Sequence, residues 1–180
     1  LVWDSPIENY ATWFDVVQDA DGTFLLAGGI VFSPTGGVEN PRLARVTSSG
    51  ELVWQVASAE DDQGAFQAVA VDPDDGSIYA AGNLVAQSRG TLRKYDAEGN
   101  ELWRHTVNGA YGPGVDQLND VSLTSDGGVV VAGRLASLPE NGGQQALVQR
   151  LDSSGQLQWE YVFDASGDLT DRIYGVVVSP

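Results

Sequence analysis

The segment "LDSSGQLQWEYVF" from Leu151 is one of three versions of a single pattern. "YDAEGNELWRHTV" begins at Tyr95 and "VTSSGELVWQVAS" at Val46, each with a glycine four residues ahead of a tryptophan, and the opening "LVWDS" matches the end of a further copy. A unit that recurs every few tens of residues must cover its apolar faces with its own copies, so this repeat constrains the fold more than any other feature of the chain.

Four landmarks recur in the same order. The first is an alternating apolar segment, "FDVVQD" from Phe14, "QAVAVD" from Gln67, "NDVSLT" from Asn119 and finally "YGVVVSP" from Tyr174. A turn with Asp-Gly and a second apolar run follow, as "DGTFLLAGG", "DGSIYAAGN" and "DGGVVVAGR". The third landmark is "RLARVTSSG", "TLRKYDAEG" or "ALVQRLDSSG", and the fourth is the Trp segment. Trp3, Trp54, Trp103 and Trp159 lie 49 to 56 residues apart.

The segments are short, rich in Val, Leu, Tyr and Trp and punctuated by Gly and Asp, which predicts strands joined by hairpin turns; no sustained helical period is present. Asp21/Gly22, Asp75/Gly76 and Asp126/Gly127 suit the turn between the first two strands, and Gly50, Gly99 and Gly155 the left-handed end of the turn between the last two. Each repeat is therefore expected to be a four-stranded antiparallel meander. Such sheets must stack face to face, and stacking them about an axis gives a β-propeller; a straight β-solenoid has shorter rungs and parallel strands.

The pattern "VAVDPDDGSIYAAG…LRKYDAEGNELW" resembles the bacterial β-propeller repeat of the SBBP type, and is more distantly similar to NHL repeats and to the Trp-bearing repeats of quinoprotein dehydrogenases. The resemblance implies that the "VAVD" segment is the innermost strand of a blade and the Trp segment the outermost. The expected fold is all-β, with about three full blades plus one strand at each end. The repeats are approximately 1–10 (an outer strand), 11–62, 63–115, 116–170 and 171–180 (an inner strand). Because propellers close with four to eight blades, this is a partial propeller or a segment of a larger ring, needing the rest of a longer chain or further copies to close it.

With 9 basic against 25 acidic residues and a formal net charge of -16, the chain repels polyphosphates, which argues against nucleic-acid partners. No apolar run is long enough to insert in a membrane. Zero cysteines exclude disulfides and thiolate chemistry. His105 stands where the other copies have Val56 and Tyr161, so it reads as a packing position and not a base. The tryptophans read as filling between sheets. Arg45, Lys94 and Arg150 coincide in the repeat, and Asp96 and Asp152 two residues on are their expected ion-pair partners.

"DADG" and "DPDDG" lack EF-hand spacing and read as hairpins. If calcium binds, the carboxylate groups for it are Glu60, Asp61 and Asp62, or Asp164, Asp168 and Asp171. The short turns share one face of the ring, and the longer, unequal loops share the other, which is the expected recognition face. Its candidates are Glu39, Asn40, Arg89, Tyr111, Glu140 and Asn141. The expected function is a non-catalytic scaffold or interaction module of a bacterial extracellular or envelope protein, meeting a protein or carbohydrate surface, with no cofactor or catalytic residue. The alternatives are a calcium-assisted carbohydrate or protein adhesin, and a fragment of a quinoprotein-like or hydrolytic propeller enzyme.

Overall fold

The structure, a computed structural model, describes residues 12–29, 40–58, 63–107, 115–136, 143–163 and 170–179. Among the described residues, twelve strands form three four-stranded antiparallel sheets, each a meander in chain order. The first blade holds β1 (Thr12–Gln18), β2 (Phe24–Gly29), β3 (Pro41–Val46) and β4 (Leu52–Ala57). The second holds β5 (Gly64–Val71), β6 (Ile78–Leu84), β7 (Arg89–Tyr95) and β8 (Glu101–Val107), with a 3-10 turn, Val85–Gln87, before β7. The third holds β9 (Gln117–Leu123), β10 (Val129–Leu135), β11 (Gln145–Leu151) and β12 (Leu157–Phe163). No helix among the described residues is long and apolar enough to cross a membrane.

The sheets stack as blades. One cluster joins Leu25, Ala27 and Leu43 of the first blade to Phe66, Val69, Ile78 and Tyr95 of the second. The other joins Tyr79, Ala81 and Leu92 of the second to Leu118, Val129, Val131 and Leu151 of the third. Alternation along each strand makes this possible, because successive side chains point to opposite faces, and the two faces of the middle blade are covered by different neighbours. β1 packs on β5 and β5 on β9, so the first strands converge on the axis. The molecule is thus a partial β-propeller, with the first strand of each blade innermost.

Each innermost strand carries a bulge, at Phe14, Gln67 and Asn119, where its register against the second strand shifts. The bulge draws its backbone over the Ala-Gly glycine opposite. A Cβ on Gly28, Gly82 or Gly133 would come within 2.2, 2.1 or 2.0 Å of a carbonyl oxygen of Thr12, Ala65 or Gln117. The repeated "AG" is therefore a packing requirement of the bulge.

The short turns behave as the repeat predicts, with a difference of detail. Gly22 and Gly127 each donate a backbone hydrogen bond to the residue three earlier, Asp19 and Thr124, as Gly50, Gly99 and Gly155 do to Thr47, Asp96 and Asp152. Both turns of a blade thus have one geometry, in which glycine is the fourth residue and left-handed. The middle blade's first turn is one residue longer, with Gly76 donating to Asp72.

Trp54 and Trp103 fill between blades as expected, whereas Trp159 is exposed on the third blade and Trp3 lies outside the described residues. Trp54 Nε1 donates to Ala97 O (3.2 Å) and Trp103 Nε1 to Ser153 O (3.2 Å), so each indole lies under the second short turn of the following blade. Gly155 seals that contact: its φ is 83°, and a Cβ on it would stand 2.8 Å from the Trp103 ring. Gly22 has a similar φ of 85° with nothing near. Gly22→Ala should therefore cost about 1 kcal/mol for the backbone alone, and Gly155→Ala a further 1–3 kcal/mol or about that for overpacking. Urea unfolding of the two variants checks this, and equal losses would contradict it.

Candidate functional site

Four regions of the scaffold bring polar side chains together: the axis, the short-turn face, the space between the blades and the long-loop face. At the axis an aspartate follows the bulge in the first and third blades. Asp15 Oδ1 accepts from its own Val16 N (2.8 Å) and Oδ2 from Val69 N of the next blade (2.9 Å). Asp120 does the same, with Val121 N at 2.9 Å and Val176 N at 2.7 Å. Asp15 therefore ties two neighbouring innermost strands, β1 and β5, and Asp120 ties β9 to the segment around Val176. The equivalent residue of the middle blade is Ala68, which is buried in the apolar cluster between the second and third blades. An aspartate inside an alternating apolar segment was the sequence signal for this latch.

On the short-turn face the expected ion pairs are corrected. Arg45 Nη2 lies 2.7 Å from Asp19 Oδ2, and Arg150 Nη2 lies 2.5 Å from Asp126 Oδ2. The partners thus come from the turn between the first two strands, because both short turns of a meander end side by side. Lys94 Nζ stands 5.0 Å from the centre of the Tyr79 ring. Asp96 and Asp152 instead cap their own turns: each Oδ1 accepts a backbone N–H four residues on (2.8 and 3.0 Å), and each Oδ2 accepts a side-chain amide, from Asn100 or Gln158.

These hydrogen bonds set the local acidities. Bonds from Thr124 and then Arg150 hold Asp126 down to about 2. Asp21, Asp75, Asp96 and Asp152 are lowered too, first by bonds from Thr23, Ser77, Asn100 and Ser154. A carboxylate that is stabilised as an anion is a weak base, so these groups act as turn fasteners and do not store protons near neutrality. Beside them, a depression of about 280 Å³ is lined by Asp72, Asp74, Leu123, Thr124 and Val178, near the axis.

Between the blades, the third strand carries a polar pin. Arg93 is 0% exposed; its Nη1 donates to Ser58 Oγ of the first blade (3.0 Å) and to Glu101 Oε2 (3.2 Å), and its guanidinium carbon stands 5.8 Å from the Phe66 ring centre. Gln149, the equivalent residue one blade on, meets His105 Nε2 at its Oε1 (3.0 Å) and donates to Glu160 (2.6 Å). His105 thus belongs to a blade contact, as its repeat position suggested. Burial pushes the neighbouring Tyr95 hydroxyl up to about 12, which keeps it neutral.

On the long-loop face, three of the expected residues are described. Asn40 Nδ2 donates to Ser58 O (2.9 Å), which turns it inward to fasten its own blade. Arg89 is exposed and follows Ser88, a non-glycine residue with a left-handed φ of 55°. Asp171 N donates to Gln144 O (2.8 Å). Glu39, Glu60, Asp61, Asp62, Tyr111, Glu140, Asn141, Asp164 and Asp168 lie outside the described residues. Among the described residues, no group of three His, Asp or Glu side chains is placed to hold a metal ion.

Sequence reasoning missed two arrangements on this face. Buried Asp116 joins two blades: its N–H donates to Ser88 O (3.3 Å) and its Oδ1 accepts from Ala136 N (2.6 Å). Arg134 donates to Gln117 Oε1 (3.0 Å) and Arg172 to Gln144 Oε1 (2.8 Å). Desolvation, and then the charge of Arg172, lower the pKa of Arg134.

No family model matches the chain, and no curated protein matches it. Solved structures do. A Bacteroides caccae protein of unknown function matches with a TM-score of 0.54 at 16% identity, over 92% of this chain and 50% of that one. Hydrazine synthase of Kuenenia stuttgartiensis matches with 0.56 at 17%, over 79% and 40%. Sqt1 of Saccharomyces cerevisiae matches with 0.56 at 11%, over 83% and 34%. At these identities the likeness establishes the propeller fold alone, and this chain spans half or less of those structures.

The axial latch has a direct energetic consequence. Asp15→Ala leaves the half of the bond on Val69 N, a residue only 6% exposed, without an acceptor, and should lower stability by about 1–3 kcal/mol. Asp15→Asn keeps one acceptor oxygen but sets an NH2 against the second N–H donor, and should restore only part of that. Urea melts of both variants measure it, and an Asp15→Ala protein as stable as the parent would refute the latch.

Proposed function

We propose that this chain is a non-catalytic interaction module of a bacterial extracellular or envelope protein, and that its long-loop face meets a protein or carbohydrate surface. The observation that carries this reading is the use to which ionisable side chains are put. Asp15 and Asp120 bridge innermost strands, Arg93 pins one blade to another, and the lowered aspartates cap turns. Groups committed to holding blades together are poor candidates for acid–base work. They make a rigid frame, and unequal loops on a rigid frame are suited to recognition.

The fold by itself does not select this function, since propellers host unrelated activities. Support comes from the loop composition: Tyr111 in the glycine-rich "NGAYGPG" and Arg89 on an exposed strand start are residue types enriched where protein surfaces bind tightly. The resemblance to bacterial propeller repeats supports the location.

Arrays of immobilised bacterial polysaccharides and extracellular proteins, probed with the 180-residue chain, test the reading. An Arg89→Ala, Tyr111→Ala double variant should lose at least about tenfold in binding with an unchanged melting temperature. Binding that survives this change but is lost on Asp74→Ala, on the short-turn face, would contradict it. Millimolar calcium should leave both binding and melting temperature unchanged, and a rise in either would favour the calcium-assisted adhesin instead.

A further inference from the structure

The outward face of the third blade breaks the pattern that the first two set. Trp54 and Val56 on the first blade, and Trp103 and His105 on the second, are covered by the following blade. Their equivalents Trp159 and Tyr161 are 45% and 58% exposed. With Val148 and Phe163 they line an open apolar groove of about 330 Å³. On the covered blades, what lies over the indole is a short turn whose left-handed glycine (Gly99 or Gly155) meets the ring, while the carbonyl two residues earlier accepts from Nε1.

A second observation concerns the inner end of the same face. Residues 170–179 carry no strand, yet they run along β9 as β5 runs along β1. Val176 N donates to Asp120 Oδ2, as Val69 N does to Asp15 Oδ2. Two residues on, Val178 N donates to Ser122 Oγ (3.1 Å), and Asn119 Nδ2 donates to Ile173 O (2.7 Å). This segment occupies the place of an innermost strand, while Tyr174 and Val177 are 73% and 87% exposed, with no second strand paired to it among the described residues.

Resting on the propeller reading above, we propose that this face is a blade-docking surface whose occupant is a fourth four-stranded blade of the same repeat. That blade continues this chain from its seated innermost strand, Ile173 to Val178. Its second short turn lays a left-handed glycine on Trp159, and the carbonyl two residues before that glycine accepts from Trp159 Nε1. Apolar continuity with the two existing interfaces specifies the chemistry of the cover. A second copy of the chain fits less well, because its first blade brings its own innermost strand, β1, and would have to displace Val176 and Val178 from Asp120 and Ser122.

The test uses the absence of cysteine from the chain. Tyr161→Cys reports on the open face, and Val56→Cys on the equivalent position already covered. Each is placed in the 180-residue chain and in two extended chains. In one, a copy of residues 74–107 follows Pro180, which aligns with Pro73; in the other, a copy of residues 126–163 does. Val56→Cys should react slowly with a thiol reagent in all three. Tyr161→Cys should react fast in the 180-residue chain and at least about tenfold more slowly in an extended one. Fast reaction at Tyr161→Cys in both extended chains, with Val56→Cys still slow, overturns the fourth blade while leaving the propeller intact. Slow reaction in the unextended chain, together with a dimer by sedimentation, overturns it in favour of a second copy. Fast reaction at Val56→Cys would instead bring down the propeller reading itself.

Discussion

The covering of one sheet face by the next sheet is the constraint on which the rest of the structure depends. A four-stranded meander with apolar side chains on both faces cannot stand alone in water, and here the middle sheet has a separate neighbour to cover each of its faces. The interface between the first and second blades is fastened at both ends. Near the axis a carboxylate spans two innermost strands, and at the rim an indole lies under the next blade's turn. Each fastener needs a small partner: the bulge that aims Asp15 or Asp120 forces glycine on the strand opposite, and the indole forces glycine in the turn.

Between these fixed ends, the copies differ in how they handle polar groups. Ala44, Arg93 and Gln149 occupy one position in successive blades, and only the last two carry a cross-blade hydrogen bond. Burying Arg93 is tolerable because its guanidinium has Ser58, Glu101 and Thr91 within hydrogen-bond reach and lies over an aromatic ring. The polar inventory of a repeat protein is thus read one interface at a time. What looks like a reactive group in isolation is a contact in its neighbour's frame.

The strands, the turns and the packing role of Trp54 and Trp103 were legible because each rests on local chemistry that the chain repeats. Repetition removes the ambiguity of any one copy. The ion pairs were not legible: Arg150 sits two residues from a plausible partner, Asp152, but 24 residues from its actual one, and Arg45, followed at that spacing by Thr47, finds its partner 26 residues away. Only the side-by-side placement of two turns brings those together. The latch residues Asp15 and Asp120 were missed because an aspartate within an apolar strand says that something binds it, without saying what. Of the expected recognition residues, Asn40 proved to be a fastener while Arg89 remained exposed. Loop residues respond to neighbours far along the chain, so periodicity carries no information about them.

Exchange of the indole N–H protons, followed by NMR on nitrogen-labelled protein, tests the central claim most directly. If successive blades cover one another, the Nε1 protons of Trp54 and Trp103, held by Ala97 and Ser153, exchange slowly, and that of Trp159 exchanges at nearly the rate of free indole. Equal rates at all three would contradict the stacking of these sheets.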